Sequence, residues 1–284
     1  TVDGENSDFT VSGPIGGDLA VDDINVTNGS SANLSGVTGD VTGSSLTVDE
    51  NSNFSVNDTI GGNLSVDNIQ VTNGSSATFD DIEGEVIGNT FQVVEDSTLS
   101  FGNIQEGFDV ETFKSDGEMD FTFDENKLNI LDGDFVVSED SSINVNNENG
   151  GNKSEVRLTG NLSGDGKLNV NESPSGTGKV VLANGSDNNI SEIDVKKGTF
   201  ELKDDTSLDG DVIVNPDRDN PDATFLGGNG EINGTVVNNG IFSPGNSVGE
   251  IDVRNFQGTG KTLIEYEVAA NGQSVDDSDF INVT

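Results

Sequence analysis

Two stretches of the chain are near copies of one another. Residues 9–32 read FTVSGPIGGDLAVDDINVTNGSSA and residues 54–77 read FSVNDTIGGNLSVDNIQVTNGSSA. Gly16 and Gly61 fix the register, 61 − 16 = 45, and Glu5, Glu50 and Glu95 carry the same interval into a third, fainter copy. A long internal period of this kind marks arrays in which each unit buries its apolar face only against its neighbours.

Inside the period, apolar residues alternate in short runs, such as Leu46-Thr47-Val48, Phe54-Ser55-Val56, Leu64-Ser65-Val66 and Ile69-Gln70-Val71. That is the pattern of short strands with one face inward. The separators, Asn28-Gly29-Ser30-Ser31, Asp49-Glu50-Asn51-Ser52 and Asn73-Gly74-Ser75-Ser76, are turn chemistry. Asn and Gly tolerate positive φ, and Asp and Ser bond the local backbone. An antiparallel meander or sandwich would also use Asn-Gly turns. The long repeat, the short strands, and the lack of Trp or a large aromatic cluster to fill a wide sandwich favour parallel stacking. The expected fold is all-β, a solenoid in which one period makes two coils. Roughly a dozen coils at about 4.8 Å each would give a rod of about 60 Å.

Composition narrows the function. The net charge is −40, from 52 acidic and 12 basic residues, and only 31% of residues are hydrophobic. Such numbers alone suggest disorder, which the regular alternation opposes. Nucleic acid and anionic membrane surfaces require positive patches and are not expected partners, whereas divalent cations and basic surfaces are compatible. There is no Cys and no His, which removes disulfides, thiol catalysis, His-dependent triads and almost all zinc sites. No secretory leader or apolar run of about 18 residues is present. Both termini fall inside strand-like runs, so the chain reads as an internal fragment.

The repeat style changes near residue 150, giving a soft division into 1–150 and 151–284. Within the first part, residues 105–117 (QEGFDVETFKSDG) are the least regular and read as an extra loop or an excursion from the coil. Asn146 to Lys153 (NNENGGNK) reads as a polar loop.

From Val156 the cadence VRLTGNLSGDGKLNV resembles the passenger-associated repeat of bacterial autotransporters, the type V secretion family. Residues 226–253, LGGNGEINGTVVNNGIFSPGNSVGEIDV, are similar to the stretch near the C-terminal end of such passengers. Gly228, Gly230, Gly234, Pro244, Gly245, Asn246, Ser247 and Gly249 carry that likeness. The Ser278-Asp279-Phe280-Ile281 that follows departs mildly from the family's usual Ser-Asp-x-Leu. The resemblance runs from Val156 to the end of the chain and leaves out the N-terminal repeats. It implies a right-handed parallel β-helix, export through an outer-membrane β-barrel C-terminal to this fragment, and last coils that act as a folding seed. By physics alone, Pro244-Gly245-Asn246-Ser247 is a tight corner, not a binding site.

No catalytic residue is assigned. Carboxylates are too abundant for any pair to stand out as a glycosidase site, and one Tyr with no Trp offers little for sugar stacking. Asp217, Asp219 and Asp222 form a weak Ca²⁺ candidate, since clustered oxygen ligands in a loop suit that ion; a solvated acidic loop is the plainer reading. No other cofactor is expected. The function expected is a surface-exposed or secreted passenger acting as an adhesin or a self-association rod, with a host or surface receptor or sister passengers as partners. A passive stalk for an N-terminal head and a carbohydrate-active β-helix are the alternatives.

Overall fold

The structure, a computed structural model, describes residues 1–124, 127–149, 151, 154–173, 175–203, 205–216, 224–244, 250–258, 262–264 and 280–283. Among these every regular element is a β-strand, and every described strand pairing is parallel. The chain forms two compact units, residues 1–125 with 129–144, and residues 126–128 with 145–284. Each is a parallel β-solenoid, with about 11 turns in all.

In the first unit each coil stacks on the one before it in near-constant register, Ser31 on Asp8 and Asn53 on Ser31, so that matching positions form columns. One inward column runs Phe9, Ala32, Phe54, Ala77, Leu99, Met119. Others run Ile24, Leu46, Ile69, Phe91, Phe113, Phe135 and Val26, Val48, Val71, Val93. From the second coil onward these side chains are almost fully buried, each Val, Leu, Ile, Phe or Met among them worth on the order of 1.5–3 kcal/mol relative to exposure.

The two-coil period arises because adjacent coils differ and alternate. Large and small residues take turns in the first column: Phe9 over Ala32, Phe54 over Ala77. At one corner the pairs alternate between Glu5-Asn6, Asn28-Gly29, Glu50-Asn51, Asn73-Gly74 and Glu95-Asp96, with Asn6, Asn28, Asn51, Asn73 and Asp96 all at positive φ. A Cβ on Gly74 would lie 2.8 Å from Asn51 Oδ1, and one on Gly29 3.2 Å from Asn6 Oδ1. Gly beneath Asn thus avoids a crowded contact with the amide oxygen, and the positive φ of Gly29 (69°) and Gly74 (71°) favours Gly there as well. Gly43, Gly88 and Gly133 repeat the device elsewhere, each so close to the carbonyl of Val21, Val66 or Val110 in the coil above that a Cβ would not fit.

A second corner repeats from coil to coil. The Asp18 carboxylate accepts the Asp40 N–H (3.1 Å), Asp40 the Asn63 N–H (2.8 Å), and the Asn63 amide oxygen the Glu85 N–H (2.9 Å). Each acceptor fills the space of a Cβ on Gly39, Gly62 or Gly84, which accounts for the recurring Gly-Asp, Gly-Asn and Gly-Glu pairs.

Two local expectations are corrected. Most of residues 105–117 is not a loop: Phe108–Phe123 is one 16-residue strand, with Phe108 and Phe113 buried. A register shift between Asp109 and Thr112 breaks the inward alternation at that point, which hides the strand from a period-two reading. Likewise Asn146 and Asn147 end the Ser142–Asn147 strand and are buried. The first unit also holds an aromatic cluster that the composition did not reveal. Phe79, Phe101 and Phe121 stack ring on ring at 5.3 and 5.7 Å, and Phe113 on Phe135 at 4.8 Å. Coil stacking gathers rings that are distant in sequence into one core.

In the second unit Val156, Val180, Phe200, Leu226 and Phe242 form one buried column. Their intervals along the chain are uneven, longest from Phe200 to Leu226 and shortest from Leu226 to Phe242, so no fixed period exists to be read. The described ion pairs lie here: Arg157–Glu155, Lys167–Glu192, Lys196–Asp194, and Lys179 between Glu155 (3.7 Å) and Glu201 (3.1 Å).

Candidate functional site

The Asn-Gly corner of the first unit is built on a buried serine ladder. Ser30 N–H donates to Ser52 Oγ (3.1 Å), Ser52 N–H to Ser75 Oγ (3.1 Å), and Ser75 N–H to Ser97 Oγ (3.2 Å). These hydroxyls satisfy backbone donors that the turn would otherwise leave buried and unpaired. Outside the ladder, Asp49 accepts from Thr72 Oγ1 (2.7 Å) and Asn73 Nδ2 (2.6 Å) of the next coil. The Thr72 hydroxyl above all, with lesser help from Asn73 and the Glu50 N–H, holds the Asp49 carboxyl below its ordinary range against the opposing effect of burial. Asp3 makes the equivalent pair of contacts with Thr27 and Asn28.

One coil omits the corner. Val94 pairs with Asp116 and Thr98 with Glu118, so that Glu95, Asp96 and Ser97 face the single residue Gly117. The missing residues leave a notch of about 560 Å³ in the corner ridge. Glu95 and Asp96 line it above, Asp116 and Glu118 at its level, and Glu139 and Asp140 below. All six carboxylates are exposed, and no cation or aromatic ring lines the notch. Glu118 is steadied by Asn144 Nδ2 (2.8 Å), and Ser115 Oγ donates to the carbonyls of Gly117 and Ser142 (3.0 Å each).

The surroundings reinforce the negative field. Residues 1–113 contain 20 Asp and Glu and no Lys or Arg; Lys114 is the first cation of the chain. Among the described residues no three carboxylates converge closely enough to hold one metal ion. The notch suits charge spread over several ångströms, such as hydrated cations or the Lys and Arg side chains of a partner.

The sequence-derived sites fare unevenly. Asp217, Asp219 and Asp222 lie outside the described residues, as do Gly245, Asn246, Ser247 and Gly249. Gly228, Gly230 and Gly234 sit against the carbonyls of Leu202, Thr206 and Gly210, too close for a Cβ; their role there is close coil stacking. Pro244 ends the Ile241–Pro244 strand and is buried. The notch escaped the sequence reading, although its signal was present: the Glu-Asn-Ser or Glu-Asp-Ser signature at 50–52, 95–97 and 139–141 brackets a coil that reads Ser115-Asp116-Gly117-Glu118.

No family model, curated protein or solved structure matches the chain.

Proposed function

We propose that this chain is part of an exported autotransporter passenger that serves at the bacterial surface as an adhesive or self-associating solenoid. The observation that carries this reading is the outward polar surface. Its side chains are bonded coil to coil: Ser45 Oγ to Asp23 (2.7 Å), Ser55 Oγ to Asn33 (2.7 Å), Thr72 Oγ1 to Asp49 (2.7 Å) and Ser76 Oγ to Asn53 (2.7 Å). A fixed array of carboxylates, amides and hydroxyls repeated at coil spacing is suited to weak polar contacts summed over many sites. The passenger assignment rests on the resemblance of residues 156–170 and 226–253, and on a parallel solenoid being the fold such a passenger requires.

Partners on this reading are a host or surface receptor, or sister passengers, reached through polar groups and bridging cations. No catalytic role and no resident cofactor are proposed; Ca²⁺ would act by screening and bridging carboxylates. The test is competition. Purified chain is added to cells displaying the parent passenger, and attachment and aggregation are scored across NaCl and Ca²⁺ concentrations. Inhibition that strengthens with screening is expected. Attachment and aggregation unchanged under every condition would refute the proposal.

A further inference from the structure

Strand Leu128–Val137 begins inside out. Asn129 points into the core, 1% exposed, and neither polar atom of its side chain has a hydrogen-bond partner. Leu128 and Ile130, on either side of it, point outward and are 44% and 41% exposed. A slip of one residue along the strand would reverse all three. Burying an amide without a bond and leaving two large apolar side chains in water are both unfavourable. Some other feature of the coil must hold the strand where it is.

That coil is one residue short. In the coils before it, two residues stand between successive inward side chains at one corner: Ser44-Ser45 between Gly43 and Leu46, Asp67-Asn68 between Val66 and Ile69, Asn89-Thr90 between Gly88 and Phe91, and Glu111-Thr112 between Val110 and Phe113. Here Asp134 alone separates Gly133 from Phe135. The pairing with the coil above shifts at this point, with Asp132 under Asp109 but Asp134 under Thr112. Sliding residues 128–133 by one removes the shift. Ile130 then lies under Phe108, Leu131 under Asp109 and Asp132 under Val110, and Gly133-Asp134 restores the two-residue corner. Leu128 and Ile130 turn inward, and Asn129 and Leu131 turn outward.

We infer that this strand has two registers and that Asp132 is the latch between them. In the observed register Asp132 points to solvent. In the other it takes the place beneath Val110 that Gly133 holds now. A Cβ there collides with the Val110 carbonyl, just as one on Gly43 or Gly88 would collide with the carbonyl of Val21 or Val66. The carboxylate would also enter an apolar interior, at a large cost. Size and charge together therefore keep Asp132 outside, Gly133 beneath Val110, and Asn129 in the core. The register decides what the strand shows: Leu128, Ile130 and Asp132 in one, Asn129, Leu131 and Gly133 in the other.

Single cysteines read the register cleanly, because the chain has none of its own. Ile130→Cys and Leu131→Cys are labelled with a thiol reagent in the intact chain, alone and combined with Asp132→Gly. Alone, Ile130→Cys is expected to react at least roughly ten-fold faster than Leu131→Cys, which is protected by burial. Asp132→Gly provides a glycine for the place beneath Val110 and removes the charge. It should invert the order, slowing the first site and speeding the second by at least roughly ten-fold each. Adding Asn129→Leu, whose side chain is buried only in the observed register, should restore the original order. If Asp132→Gly is poorly folded, Asn129→Leu alone decides. It should slow labelling of Leu131→Cys at least roughly ten-fold by suppressing excursions to the second register, while Val137→Cys, inward in both registers, is unchanged. The inference is overturned if Ile130→Cys and Leu131→Cys react equally when alone, if their order survives Asp132→Gly, or if Asn129→Leu slows Leu131→Cys and Val137→Cys alike or slows neither.

Discussion

If Gly74 is glycine because Asn51 lies above it, the two positions must be energetically coupled. Gly74→Ala introduces two costs. Gly74 has φ of 71°, and an L-residue in that region costs about 1–2 kcal/mol. The new Cβ would also lie 2.8 Å from Asn51 Oδ1, which forces the Asn51 side chain off its rotamer at about 0.5–1.5 kcal/mol. The expected loss is therefore roughly 1.5–3.5 kcal/mol. Asn51→Gly removes the obstructing oxygen and keeps a residue that accepts the Asn51 φ of 58°. In the double variant the conformational cost remains and the steric part vanishes. A double-mutant cycle from urea unfolding, followed by far-ultraviolet circular dichroism, should give a coupling of about 0.5–1.5 kcal/mol. The matched cycle of Gly29→Ala with Asn6→Gly has a wider clearance of 3.2 Å and should couple more weakly. Additivity within about 0.3 kcal/mol at both pairs would refute the steric explanation of the two-coil period.

Ser52→Ala should cost about 1–3 kcal/mol, because it strands the buried Ser30 N–H, and reduced protection of that amide in hydrogen exchange checks the cause. Asp49 and Asp80 should respond to pH in opposite senses. The folded-state pKa of Asp49 is lowered, so its stabilisation is present above the ordinary carboxylate value near pH 4 and is lost as pH falls through the lower folded value; Asp49→Asn should reduce the melting temperature at pH 7 and remove that acid-limb dependence. Burial first, and then the charges of Asp81 and Asp58, raise Asp80, so its ionised form opposes folding at neutral pH and is relieved as pH falls through its folded value; Asp80→Asn should stabilise slightly at pH 7, and a loss of stability there would contradict the assignment. Glu139→Gln with Asp140→Asn should raise the melting temperature at low ionic strength by more than at 0.5 M salt, where the Debye length is only a few ångströms; an equal change at both would show that the notch carboxylates do not repel one another.

The solenoid was legible because its coils resemble one another at a distance the eye can align, and because short alternating runs separated by Asn, Gly and Ser leave few other folds. What lay out of reach were features created by stacking. Phe79, Phe101 and Phe121 each sit a full coil apart in the chain, yet they are adjacent rings in the core; nothing local marks them as one cluster. The strand through Phe108 and Phe113 was hidden by one bulge, which shifts the inward set by a residue. The notch was hidden for a related reason. It consists of residues missing from a corner, and an absence becomes visible only when the corners above and below are aligned with it. In the second unit, uneven coil lengths removed the period altogether, and recognisable cadence had to stand in for it.

The alternation also bears on how so acidic a chain holds a single register. A solenoid of identical coils can slip by one coil and recover every contact, because each turn presents the same surface to the next. Here a slip of one coil sets Asn against Asn at the corner, Phe against Phe in the first column and Val against Val where Gly43 and Gly88 now fit. Only a slip of two coils restores the fit. The pattern thus raises the cost of misalignment without adding a cation or a disulfide. Such economy suits residues 1–113, where no Lys or Arg is available to set register by ion pairing. In the second unit, where lysines return and pair with Glu155, Glu192 and Glu201, the alternation is gone. Register in the first unit is therefore held by shape, and in the second, at least in part, by charge.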